Sequence, residues 1–258
     1  MSNIKHVFEN GKAFIGFITA GDPDLATCEE LILSMEKAGA DLIELGIPFS
    51  DPVAEGPVIQ KASMRALLAG ATTDNIFDMV KRVREKSCIP LAFMTYVNVV
   101  FTYGAKRFLE SCKKLGIDAL ILPDLPYEEK GELLSVCLEN NVDLISLVAP
   151  TSNERISMIA KEAQGFVYCV SSLGVTGVRG EITTDIKEMV SLVKQAQNIP
   201  CAIGFGISTP EQAKNMAKDA DGIIVGSAIV KIIEQFGKKS AEPVFQYVHE
   251  MKQAILNT

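Results

Sequence analysis

The chain has 258 residues, 48% of them hydrophobic and 22% charged, with 19 Gly and 11 Pro; that length fits one or two domains of about 150 residues, or a single α/β barrel of about 250. A formal net charge of −7 argues against nucleic acid as a partner, because phosphate contacts need clustered Lys and Arg and the basic residues form no block. No apolar run reaches the roughly 18 residues of a membrane span, and residues 1–11 lack the basic start and apolar stretch of a signal peptide, so a soluble, cytoplasmic protein is expected.

Short apolar runs at 13–19, 41–46, 91–96, 118–123, 142–149, 166–172, 201–206 and 222–226 read as strands. Several are continuously apolar, as parallel strands covered on both faces are. Between them, 24–38, 73–86, 105–115, 128–140, 154–163, 184–197 and 210–217 carry apolar residues at helical spacing with charge on the other side. Gly39, Gly116 and Asn140 stand where helices should stop, and Thr209-Pro210-Glu211 has the cap, first-turn proline and acid of a helix start. Eight β/α units predict one domain over 1–258, a (β/α)8 TIM barrel with extra helices; an open doubly wound sheet is the alternative.

Barrel active sites lie at the C-terminal strand ends. In the second run Leu42, Glu44 and Gly46 share one face and Ile43 and Leu45 the other. If the latter pack on helices, Glu44 points into the barrel mouth, where burial raises its pKa toward proton transfer; a buried Glu satisfied by a donor is the structural alternative. The Pro-rich insertion at 47–57 carries Asp51 and Glu55 and exceeds the usual connection length, which favours a functional loop over a solvated one. After the sixth run, Gly174, Gly177 and Gly180 with Thr176 and Arg179 suit a lid, or a plain flexible loop. After the seventh and eighth, Gly204-Phe-Gly206 and Gly226-Ser227 bring backbone N–H groups and a helix start where barrels bind phosphate.

Other chemistries lack their residues. The six cysteines form no C-x-x-C pair and read as reduced, buried thiols, and His6 and His249 are the only histidines, so no metal site is expected. No lysine lies in the eight runs, which removes a Schiff-base mechanism. What remains is carboxylate acid–base work on a phosphorylated substrate. Phe17, Met94, Tyr96, Ile121, Tyr168 and Phe205 are candidate apolar walls for a flat aromatic group, or simply core.

Seven ordered blocks now carry a resemblance: Phe17-Ile-Thr-Ala-Gly-Asp-Pro23, Glu44-Leu-Gly-Ile-Pro-Phe-Ser-Asp-Pro-Val-Ala-Glu-Gly-Pro57, Met94-Thr-Tyr-Val-Asn98, Pro123-Asp-Leu-Pro126, Gly174-Val-Thr-Gly177, Gly204-Phe-Gly-Ile-Ser208 and Val225-Gly-Ser-Ala-Ile-Val-Lys231. Over nearly the whole chain it resembles the tryptophan synthase alpha chain family. The resemblance implies retro-aldol cleavage of indole-3-glycerol phosphate to indole and glyceraldehyde 3-phosphate. Glu44 matches the family's catalytic glutamate, which moves protons to indole C3 and from the glyceryl hydroxyl. Glu55 stands where the family pattern carries Asp, the carboxylate at indole N1–H; the charge is kept and the side chain is one methylene longer. Tyr168 matches a tyrosine beside the substrate; Gly177, Phe205, Gly206, Gly226 and Ser227 match the phosphate cradle; Asp51 and Thr176 match residues that link the two loops on closure.

The resemblance also implies an α2β2 heterotetramer with a beta chain that holds pyridoxal phosphate, leaving no cofactor in this chain. The insertion at 47–57, residues 98–103 and the lid are the docking elements it suggests. Competing readings are another phosphate-binding barrel such as a phosphosugar isomerase, a mainly activating partner of a beta chain, and a stand-alone indole-producing lyase. Indole release measured without and with a beta chain separates them.

Overall fold

The computed structural model describes residues 4–170, 186–204, 206–256 and 258. A short helix α1 (Ile4–Val7) leads to β1 (Ala13–Thr19) and α2 (Leu25–Ala38). β2 (Leu42–Gly46) is followed by two helices, α3 (Pro57–Leu68) and α4 (Thr73–Arg84), and β3 (Leu91–Met94) by α5 (Val97–Tyr103) and α6 (Ala105–Leu115). Single alternation resumes with β4 (Ala119–Ile121), α7 (Gly131–Glu139), β5 (Asp143–Val148), α8 (Asn153–Lys161), β6 (Val167–Val170) and α9 (Ile186–Ala196). It continues through β7 (Cys201–Gly204), α10 (Pro210–Ala217), β8 (Gly222–Val225) and α11 (Ser227–Phe236) to the terminal α12 (Ala241–Leu256). Every strand pairs in parallel with its sequence neighbours, and β1 also pairs with β8, so the sheet closes. This is the (β/α)8 barrel; the β1–β8 pairing excludes the open sheet.

Helices begin and end where side chains satisfy their free backbone groups. Asp24 accepts from Thr27 N at 2.8 Å ahead of α2, Gly39 closes α2 at φ 104°, and Thr209 with Gln212 forms a capping box on α10. Three substantial helices were not anticipated. Pro57 made α3 look like loop, yet it occupies the first helical turn, where a missing N–H costs nothing. The β-branched start of α5 is held instead by Asp124, whose carboxylate accepts from Val97 N at 3.1 Å. In α12, Val244, Val248, Met251 and Ile255 are buried, a helical stripe legible in the sequence.

Residues alternate between two cores. Ile43 and Leu45 join the shell between strands and helices, while Ile15, Leu42, Ala92, Ala119, Ile121 and Tyr168 fill the barrel interior. Ile4 and Val7 of α1 belong to that interior cluster, and the Phe8 ring lies 5.6 Å from Phe166, closing the bottom. At this lower rim three aspartates each tie two strands: Phe14 N donates to Asp41 at 2.6 Å, Leu91 N to Asp118 at 3.1 Å and Cys201 N to Asp221 at 2.8 Å. Five cysteines are buried, as expected of inert thiols; Cys88 is exposed. Among the described residues no helix is long and apolar enough to cross a membrane.

Candidate active site

β2 places Glu44 between Phe17 of β1 and Ala92 of β3, on the face that looks into the barrel. The residue is fully buried, and neither carboxylate oxygen has a hydrogen-bond partner among the described residues. Burial alone pushes its carboxyl up from 4.5 to about 8, so a neutral acid is stable there near neutral pH. No donor among the described residues satisfies it, and a buried carboxyl left without a partner is costly.

The chain then crosses the mouth at 47–56. Ile47 N donates to Met94 O at 2.9 Å, and the Phe49 and Tyr96 rings pack with centroids 5.4 Å apart. The Tyr96 hydroxyl accepts from Ala54 N at 3.2 Å, and Gln60 of α3 donates to Glu55 O at 2.7 Å. These bonds secure the loop beside the cleft, which Glu55 lines with one carboxylate oxygen buried. Burial raises it to about 7, against a hydrogen bond from Tyr96 that lowers it. Tyr96 itself is pushed up to about 12, chiefly by burial, and therefore stays a donor.

Glu44 and Glu55 line one cleft together with Phe17, Met94, Tyr168, Gly206, Gly226 and Ser227. Two other sequence candidates stand off it. Ile121 is core beneath the cleft, and Tyr96, 2% exposed, faces the loop it secures and does not line the cleft. Asp51 is exposed and accepts from its neighbour Ser50 at 2.5 Å. Thr176, Gly177 and Phe205, and with them the lid, lie outside the described residues. Lining residues that sequence reading missed include Ala54, Ile59, Pro123, Leu147, Ile207 and Ile224. Pro123 was within a quoted block, whereas Ile59 sits on the unanticipated α3.

At the far end, Gly226 precedes α11, whose first turn carries no acidic side chain. The N–H groups of its first turn and the helix dipole favour an anion there. The strand-end glycines also make room for rings. A Cβ on Gly204 would lie 2.5 Å from the Tyr168 ring, and one on Gly46 2.6 Å from Phe17; real Cβ contacts are never that short, so both rings depend on these glycines. Among the described residues no three His, Cys, Asp or Glu side chains gather as metal ligands.

A closed barrel whose mouth holds two buried carboxyls of raised pKa, an apolar slot and a helix N-terminus has the architecture of a (β/α)8-barrel enzyme. The family model of the tryptophan synthase alpha chain matches residues 3–256. The alpha chain of Lacticaseibacillus casei is 46% identical over 255 residues, 99% of this chain and 96% of its own. That of Caldanaerobacter subterraneus subsp. tengcongensis is 54% identical over 225 residues, 87% and 86% of the two chains. The crystal structure of the alpha chain from Legionella pneumophila superposes with a TM-score of 0.88 at 36% identity, covering 100% of this chain and 98% of that one. A chain from the tryptophan synthase α2β2 complex of Pyrococcus furiosus does so with 0.87 at 35%, covering 95% and 99%. This chain belongs to the tryptophan synthase alpha chain family. The family's reaction, an indole-3-glycerol-phosphate lyase step in tryptophan biosynthesis, is the activity of this chain.

Proposed function

We propose that Glu44 and Glu55 are the acid–base pair of retro-aldol cleavage of indole-3-glycerol phosphate. The observation that carries this reading is the buried, unpartnered Glu44 carboxyl lining the same cleft as Glu55. The indole ring lies among Phe17, Met94, Leu147 and Tyr168; the phosphate sits at Gly206, Gly226 and Ser227, with Gly177 and Phe205 completing the cradle. Glu55, as carboxylate, accepts the indole N1–H and stabilises positive charge on the ring. Glu44, as carboxylic acid, gives its proton to C3. It then takes the proton of the hydroxyl on the carbon attached to C3; that hydroxyl becomes the aldehyde, the carbon–carbon bond breaks, and its electron pair restores the aromatic ring. Indole and glyceraldehyde 3-phosphate leave, and Glu44 ends protonated as it began. The two carboxyls complete this chemistry without a cofactor in this chain. Asp51 and Thr176 join the two loops on closure.

In this reading the chain docks on a tryptophan synthase beta chain in an α2β2 assembly, as the Pyrococcus relative does, and the beta chain holds pyridoxal phosphate. Val53 of the strand-two insertion and Phe101 of α5 are 73% and 47% exposed; large apolar side chains left in solvent on the two suggested docking elements support that face. Free, mostly buried thiols fit a cytoplasmic location.

Steady-state indole production by Glu44→Gln and Glu55→Gln chains tests the roles. Each is expected to lose about 100-fold or more in kcat, the usual scale of acid–base catalysis; a folded variant with near wild-type turnover ends the assignment. Glu55→Asp should keep more activity than Glu55→Gln, because charge matters more than reach. Adding beta chain is expected to raise the rate, and a high rate that does not change points to a stand-alone lyase.

A further inference from the structure

Behind the cleft, three of the elements that line it meet at one guanidinium. Asp22, in the turn after β1, is fully buried. Arg65 of α3 grips it with both edges of the fork, Nε to Oδ1 and Nη2 to Oδ2, each at 2.8 Å. The remaining arm, Nη1, donates to Glu234 of α11 at 3.1 Å. Nearer the cleft the same three elements share a buried apolar cluster of Phe17, Ile59, Ala62 and Val230. Each element presents something different to the cleft: β1 the Phe17 wall, α3 the Ile59 wall and the end of the Glu55 loop, α11 the Gly226–Ser227 anion end.

We propose that Arg65 is a positioning residue that sets the spacing between the Glu55 end and the phosphate end of the cleft. This rests on the function proposed above. A bidentate guanidinium–carboxylate pair fixes orientation as well as distance, and a lysine ammonium, a point charge, fixes neither. Burial of Asp22 leaves Arg65 one way to satisfy both oxygens, so α3 is locked to β1. The outer arm then ties α11 to α3. Neither end of the cleft is built by Arg65; only their separation depends on it. A ligand that occupies one end does not sense the change, whereas one that spans both does, and misplacement by about 1 Å costs on the order of 100-fold in rate.

The test uses the full chain, three probes and two variants. Indole occupies the apolar end, glycerol 3-phosphate the anion end, and indole-3-propanol phosphate, which cannot be cleaved, spans both. In Arg65→Lys the spanning probe is expected to bind about tenfold more weakly by calorimetry, and kcat/KM for indole release to fall at least as far with kcat carrying part of the loss. Both fragments should stay within about twofold of wild type, which a general loosening of the fold does not allow. Glu234→Ala keeps the buried Asp22 bonds and releases only α11; about threefold weakening of the spanning probe alone is expected, and this variant decides if Arg65→Lys does not fold. Equal weakening of fragments and spanning probe, or a spanning probe unaffected in both variants, overturns the proposal. A wild-type chain that neither binds the spanning probe nor releases indole overturns the function reading first, and the proposal with it.

Discussion

Replacing Glu44 by Gln is expected to cost about 100-fold or more in kcat and to stabilise the fold, with the gain growing as pH rises. The Glu44 carboxyl titrates near 8 when folded and near 4.5 when exposed. Between those values the folded chain holds a proton that the unfolded chain has lost. The stability linked to that proton is full below about 4.5 and drains away as pH rises through about 8, at about 1.36 kcal/mol per pH unit. Over the whole window the loss approaches about 5 kcal/mol, a large share of the 5–15 kcal/mol typical of a folded protein. The amide of Gln does not titrate, so the variant escapes this loss, an instance of activity held against stability. Urea unfolding of both proteins from pH 5 to 8.5 measures it. The gap between the two should widen steadily in favour of Gln across the range. Parallel pH profiles would mean that Glu44 is not held neutral by burial, and would remove the physical basis of its role as an acid.

The pH–rate profile follows from the same groups. In the proposed roles Glu55 works ionised, above about pH 7, and Glu44 protonated, below about pH 8, so kcat/KM for indole release should form a narrow bell between them. Glu55→Gln should erase the acidic limb. Tyr96→Phe removes a hydrogen bond that lowers the Glu55 pKa, so its acidic limb should move upward while kcat/KM falls about tenfold. Gly204→Ala forces a Cβ to within 2.5 Å of the Tyr168 ring and should weaken binding of indole-3-propanol phosphate by at least about tenfold, read by calorimetry. Asp41→Ala leaves Phe14 N and Lys252 without their 2.6 Å partner and should cost about 1–3 kcal/mol in urea unfolding without changing kcat.

The barrel was legible because its strands are short and continuously apolar and its helices carry periodic stripes. Glu44 was legible too: a carboxylate inside an apolar run with period two has only two faces to choose from. Helices α3 and α5 were not: Pro57 ends a Pro-rich loop and yet suits the first turn of α3, whereas the β-branched start of α5 is supported from elsewhere in the fold. Asp124 holding Val97 is that support. The sequence leaves Tyr96 open as a wall of the site or as core. Its true neighbour, the Glu55 loop, is distant in sequence and became visible only when the loop had folded back over β3.

Local pattern and composition by themselves determined the eight β/α units, the acidic surface and the two carboxylates, Glu44 in a strand and Glu55 in a loop, that stand as candidates at the barrel mouth. Those depend on residue type and on periods of two and 3.6, which a linear chain displays directly. Tertiary structure alone decided that Glu44 has no hydrogen-bond partner among the described residues, that Glu55 is held by Tyr96 and raised to about 7, and that Arg65 joins Asp22 to Glu234. Desolvation and geometry arise from groups brought together across the chain. A carboxylate's identity can therefore be read from the sequence, whereas its proton affinity and its exact neighbours are properties of the closed barrel.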